Sequence, residues 1–177
     1  MPTWIGLSRG IGGNIRTLPM QNLVAALEGL GLKDVRTYIQ TGNFVFTSGK
    51  SARALIKQID ACIEAKFGFE STTFVLSVPE LERAIAANPF PQADKNPTSL
   101  HLFFLARAPQ SPQLDAMNAL KAPSEQFKLA RQVFYFYAPK GFGISKLGRR
   151  AERLLGVEAT ARNWRTVGNL LELAKGG

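Results

Sequence analysis

Residues 35–59, VRTYIQTGNFVFTSGKSARALIKQI, decide how this chain is read. Two β-rich runs, VRTYIQ and NFVFTS, are separated by Thr41-Gly42 with Asn43 beside the glycine, which is the chemistry of a hairpin turn. Helical spacing begins at about residue 52 and holds to Phe67-Gly68, so the hairpin feeds directly into a long helix. Upstream, TWIGLSRG reads as a short buried strand broken by Gly10, Gly12 and Gly13. Pro19 then opens a helix carrying Leu23, Val24, Leu27 and Leu30 on one side. Downstream, STTFVLSV is one more strand, and the order becomes β-α-β-β-α-β.

The pattern returns. SLHLFFLA reads as a strand, PQLDAMNALK as a short helix, FKLARQ and VFYFYAP as a second hairpin, and SKLGRRAERLL as the helix after it; a final helix is expected over about 160–174. Between the two series, a helix starting at Pro79 stops before Asn88-Pro89-Phe90, because a residue preceding proline is pushed out of helical geometry. The stretch PFPQADKNPTS is the loop-richest of the chain. The expected fold is therefore α+β, two ferredoxin-like halves with helices packed on one face of antiparallel sheets. The halves are read as 1–78 and 79–177, in element order a duplication.

The segment TSGKS, residues 47–51, looks like the end of a nucleotide-phosphate loop. A phosphate loop needs a glycine five positions before Gly49, to let the backbone wrap around phosphates, and that position holds Phe44. The residues account for themselves otherwise: Gly49 turns the chain, Lys50 meets solvent, and Ser51 caps the helix. The loop RGIGGN, Arg9 to Asn14, also falls short of the dinucleotide fingerprint, lacking its third glycine.

Lysine and arginine number 22 against 13 aspartates and glutamates, a net charge of +9. From Lys121 to the end there are 11 basic and 4 acidic residues, so the excess is concentrated late. Such a balance favours anionic partners. A single cysteine, Cys62, excludes an internal disulfide and a cysteine-rich metal site, and suits a reducing cytoplasm. The segment MPTWIGLSRGIGG lacks the basic head and apolar core of a signal peptide, and no apolar run reaches the roughly 20 residues of a membrane span. A cytoplasmic protein with no membrane partner is expected.

Ordinary acid–base chemistry finds little footing. The single histidine, His101, alternates with Leu100 and Leu102 in a strand, no serine or cysteine sits in a nucleophile elbow, and the carboxylates are scattered. No catalytic constellation, metal site or cofactor motif is recognisable, so the reading leans away from an enzyme.

Several spaced motifs, RGIGG, PM at 19–20, TYIQTGN, NPF, SKL and TARNWRTV, occur in an order that resembles the family catalogued as domain of unknown function 1697. The resemblance spans almost the whole chain and implies a duplicated ferredoxin-like α+β architecture without an established activity. This chain departs from the pattern in its shorter glycine loop, which lacks an asparagine and a valine, in Thr41 for a serine, and in Ala161 and Arg165 for a threonine and an asparagine.

Uncharged donors and cations in or beside these motifs form the candidate ligand-binding set: Arg9, Asn14, Gln40, Asn43, Ser145, Lys146, Arg162, Asn163 and Trp164. Gln40 and Asn43 either present donors or satisfy the backbone of their turn. Arg162-Asn163-Trp164 reads as ligand contacts or as a helix start with Trp164 in the core. Lys146, Arg149, Arg150 and Arg153 recur at helical spacing as a basic stripe, opposite Leu147, Ala151, Leu154 and Leu155. Ser145 would cap that helix, Arg162 and Arg165 would extend the patch, and Tyr135 or Tyr137 would offer an outward ring for stacking bases. The ribonucleoprotein signature of RNA-binding sheets is absent, NFVF being its nearest fragment.

The expected role is binding of an anionic partner, nucleic acid foremost, through the late basic helix and the Arg9 loop. The alternatives are an enzyme or sensor holding a small phosphorylated ligand, and a homo-oligomeric assembly module.

Overall fold

A computed structural model describes residues 1–12 and 17–176. Among them are eight strands and six α-helices: β1 (Thr3–Ser8), α1 (Met20–Gly29), β2 (Lys33–Tyr38), β3 (Asn43–Thr47), α2 (Ala52–Phe67), β4 (Thr73–Ser77), α3 (Val78–Ala86), β5 (Leu100–Leu105), α4 (Leu114–Leu120), β6 (Gln126–Ala130), β7 (Val133–Tyr137), α5 (Lys146–Leu155), β8 (Ala159–Asn163) and α6 (Trp164–Ala174). Two 3₁₀ turns, Pro91–Asp94 and Pro97–Ser99, occupy the proline-rich loop.

The strands form two antiparallel sheets of four, ordered β2-β3-β1-β4 and β6-β7-β5-β8. Each series reads β-α-β-β-α-β with the same spatial order, which is the ferredoxin-like arrangement used twice. The two helices that follow the hairpins also end alike. Ser51 and Ser145 each accept a bond from the backbone three residues on, and Gly68 and Gly156 each close the helix in the left-handed conformation. Serine at an N-cap and glycine past the C-terminus meet the demands of unpaired amides and carbonyls at the two ends.

The chain divides into two compact units, Met1–Arg83 joined by the residues from Gly168 on, and Ala84–Val167. The sequence reading places the division at 78/79, a few residues earlier. The compact units divide within α3, and α6 from Gly168 on belongs with the first unit.

In the first unit, Leu23 and Leu27 of α1, Leu55, Ile59 and Ile63 of α2, and Phe44 and Phe46 of β3 make one core cluster. Gly6 lies opposite Phe44 in the β1–β3 register, and a Cβ on Gly6 would run into the Phe44 ring. The aromatic side chain therefore fills the space that glycine leaves on β1. In the second unit Phe103, Phe134 and Phe136 pack with Met117 of α4 and with Leu147, Ala151 and Leu155 of α5. Each leucine, isoleucine, phenylalanine or methionine side chain fully withdrawn from water contributes on the order of 1.5–3 kcal/mol.

The opposite faces of both sheets are buried as well, through Ile5, Leu7 and Val45 in one and Leu100, Leu102 and Phe104 in the other. In the second unit the Tyr135 hydroxyl, on that face, donates to the Ala84 carbonyl in α3.

One element differs from the sequence expectation. Residues 159–163 are not the first turn of the last helix but strand β8, paired with β5 from Leu105↔Ala159 to His101↔Asn163. The ladder with β5 holds this edge strand extended along one side, and α6 starts where Asn163 Oδ1 accepts the Thr166 N–H at 2.9 Å.

Candidate functional site

In the first unit, the loop after β1 and the β2–β3 turn interlock. The Ser8 amide donates to the Gly42 carbonyl and the Arg9 amide to the Thr72 carbonyl, both at 2.9 Å, while the Ser71 hydroxyl donates to the Arg9 carbonyl. The Ser8 and Thr73 hydroxyls share a buried hydrogen bond of 2.8 Å. Gly42 has φ 76° and a Cβ there would lie 2.6 Å from the Ser8 carbonyl oxygen; Gly12 has φ 90° and abuts the Gln40 carbonyl in the same way. These glycines are required by left-handed backbone and by close approach of two loops.

Asn43 is 0% exposed, its amide donating to the Tyr38 carbonyl at 3.2 Å and to the Thr41 hydroxyl at 2.7 Å. The Thr41 hydroxyl thus receives a brace from inside the turn. Arg9 and Gln40 are exposed, one on each of the interlocked loops. Asn14 lies outside the described residues.

In the second unit, Arg162 on β8 pairs with Leu102 and shares its face of the sheet. Its guanidinium donates to the Thr160 hydroxyl at 2.6 Å and to the Ala161 carbonyl at 2.9 Å. Burial draws its pKa down to about 10, which leaves it charged at neutral pH. Asn163 caps α6, and half-buried Trp164 donates from Nε1 to Asp94 at 3.1 Å rather than packing as a closed core residue. Arg165 is exposed.

Helix α5 presents a different picture. Leu147, Gly148, Ala151 and Leu155 are buried, while Lys146, Arg149, Arg150 and Arg153 are exposed along the other side. Its one acidic residue, Glu152, accepts the Ala159 amide at 2.9 Å. None of the four cations forms an ion pair with a described residue. Ser145, 3% exposed, accepts the Gly148 amide at 2.9 Å. The loop before it is held by Phe142, whose ring stacks on His101 with centroids 4.1 Å apart and meets Phe136 edge-on at 6.0 Å. Gly148 lets α5 come close, since a Cβ there would sit 3.2 Å from the Phe142 ring and 3.3 Å from Phe136.

The profile of the family described as "Protein of unknown function (DUF1697)" matches residues 1–135 of the 177. The chain belongs to this family. No curated protein matches the DUF1697 chain. Among solved structures, it is similar to the conserved bacterial protein SP0830 from Streptococcus pneumoniae, with TM-score 0.70, 20% identity and 98% of each chain covered. At that identity the likeness shows the fold alone. The basic helix α5 lies beyond the matched residues, whereas the interlocked loops lie within them.

The outward-tyrosine expectation is corrected for this DUF1697 protein. Tyr135 is 1% exposed with its hydroxyl bonded inside, and burial pushes its pKa up to about 12. Tyr137 is half-buried and stacked on Phe90 at 5.9 Å. Period two distinguishes the faces of a strand, but here both are covered. His101 is half-buried and stacked on Phe142, its Nδ1 without a hydrogen-bond partner among the described residues, and burial lowers its pKa to about 4. The Cys62 thiol donates weakly to the Ala26 carbonyl, and its pKa is raised by burial. Among the described residues no three His, Cys, Asp or Glu side chains gather as a metal-ligand group, and no helix is long and apolar enough to cross a membrane.

Proposed function

We propose that this DUF1697 protein is a non-enzymatic cytoplasmic domain that binds nucleic acid through α5, with the Arg9 loop as a second anionic contact. The observation that carries the reading is the run of Lys146, Arg149, Arg150 and Arg153, four exposed cations on one side of a helix, none of them ion-paired with a described residue. Phosphate neutralised by such a run releases condensed counterions, which makes affinity fall steeply with salt. The net charge of +9 adds long-range attraction.

A small phosphorylated ligand has less support. Of the residues that would hold it, Asn43 and Arg162 already spend donors on internal hydrogen bonds. The deciding measurement is binding of a labelled oligonucleotide across a salt series. With four phosphates engaged, log K against log salt should fall with a slope of about −3 to −4 on duplex. Affinity indifferent to salt would reject the proposal.

A further inference from the structure

Among the described residues Ile144 is the most exposed large apolar side chain, at 73%. A lone exposed aliphatic is ordinary on a protein surface, but the setting of this one is not. Phe142, two residues before it, is locked among His101, Phe103 and Phe136, with the His101 ring centroid 4.1 Å away. Ser145, immediately after, is buried as the cap of α5. The chain is thus fixed on both sides of a residue that it holds out toward water. Exposed Lys140 and Lys146 flank it, and the stripe Arg149, Arg150, Arg153 continues from there along the helix.

We propose that Ile144 is the base-contacting residue of this surface: an aliphatic wedge against an unstacked base of a single strand whose phosphates lie along α5. The inference rests on the nucleic-acid reading above and adds what kind of strand is bound. Cations that hold the phosphate backbone and an apolar side chain set against base faces are a combination known from duplex binders, where an inserted aliphatic unstacks a base step; on a single strand the base is already unstacked, so the same contact carries no unstacking cost. Because the loop is already ordered, little conformational freedom is lost on binding. A single strand is favoured over a lipid surface because the cations follow one line, about 10 Å from Lys146 to Arg153 at 1.5 Å per residue. One isoleucine suffices to cover a base, whereas a membrane-surface helix offers a whole apolar face, and the apolar face of α5 is spent in the core.

The test compares the full chain with Ile144→Ser and Ile144→Ala on three probes: an oligothymidylate, inorganic polyphosphate of similar charge, and phosphatidylglycerol vesicles. Expected is a loss of about 5–10-fold for the oligonucleotide at every salt concentration, as for loss of one base contact, with an unchanged salt slope and unchanged polyphosphate binding. If wild type binds both polyanions and the variants bind each as tightly as wild type, or lose both equally, Ile144 makes no base contact and the inference falls alone. Wild type binding neither polyanion would remove the charge reading beneath it. Vesicle binding that needs Ile144, with oligonucleotide binding unaltered, would reassign the residue to lipid and overturn the inference.

Discussion

The His101 imidazole lies against the Phe142 ring with centroids 4.1 Å apart and planes 22° from parallel, and its Nδ1 has no hydrogen-bond partner among the described residues. Burial holds its pKa near 4 in the folded chain, below the ordinary 6.5. The unfolded chain therefore takes up the proton first. Stability from this group is intact above about pH 6.5 and is lost as pH falls toward 4, by about 2 kcal/mol at pH 5 relative to pH 7 and about 3 kcal/mol in full. Urea unfolding at both pH values should show this fall in wild type. In His101→Phe, which keeps a ring on Phe142, the fall should shrink by that amount; equal pH dependence in the two proteins would refute the assignment.

The contact of Gly6 with Phe44 gives a second expectation. Alanine at residue 6 places a methyl group in the Phe44 ring, so Gly6→Ala should destabilise by about 1–3 kcal/mol, the usual cost of overpacking. Phe44→Leu loses packing of its own but frees that space. The double variant should then be more stable than the sum of the single losses predicts. Additive losses would mean that the strain lies elsewhere.

How far each feature was legible follows from how local its cause is. The hairpin at Thr41-Gly42, helix α2 and the caps Ser51 and Ser145 are set by neighbours within a few residues, and all were readable. Strand β8 was not: Ala159, Ala161 and Asn163 are poor strand formers, and what holds the segment extended is the distant partner β5. Asn43 was visible as a turn residue, but its complete burial depends on the loop after β1 folding over it. The cationic stripe of α5 could be read because helical spacing alone places it, whereas the burial of Tyr135 and half-burial of Arg162 required knowing that the second face of the sheet is covered.

Arg162 and Arg149 should therefore respond in opposite ways. Arg162→Gln removes internal bonds to Thr160 and Ala161, so it should cost about 1–3 kcal/mol in unfolding free energy. It should leave the salt dependence of oligonucleotide binding as in wild type. Arg149→Gln, at an exposed residue without an ion pair to a described residue, should change stability by no more than about 0.5 kcal/mol. It should reduce the salt slope by about 0.7 on a single strand. The reverse pattern would move the anion contact from α5 to β8.

The segment TSGKS offers a sharper contrast between a cap and a phosphate loop. Phe44, where the loop's first glycine would stand, is fully buried in β3 and faces Gly6 across the ladder, so residues 44–47 are committed to the sheet. The Lys50 amide donates to the Ser48 hydroxyl and its ammonium to Gln58 at 2.6 Å on the surface, while Ser51 accepts the Ala54 amide. Ser51→Ala should accordingly cost about 1 kcal/mol, the usual value of an N-cap, and Lys50→Ala should cost less than about 0.5 kcal/mol. Neither ATP nor GTP with magnesium should raise the melting temperature of wild type. A rise that disappears in Lys50→Ala would show that the lysine reaches a phosphate after all, which the paired backbone of β3 gives it no loop to hold.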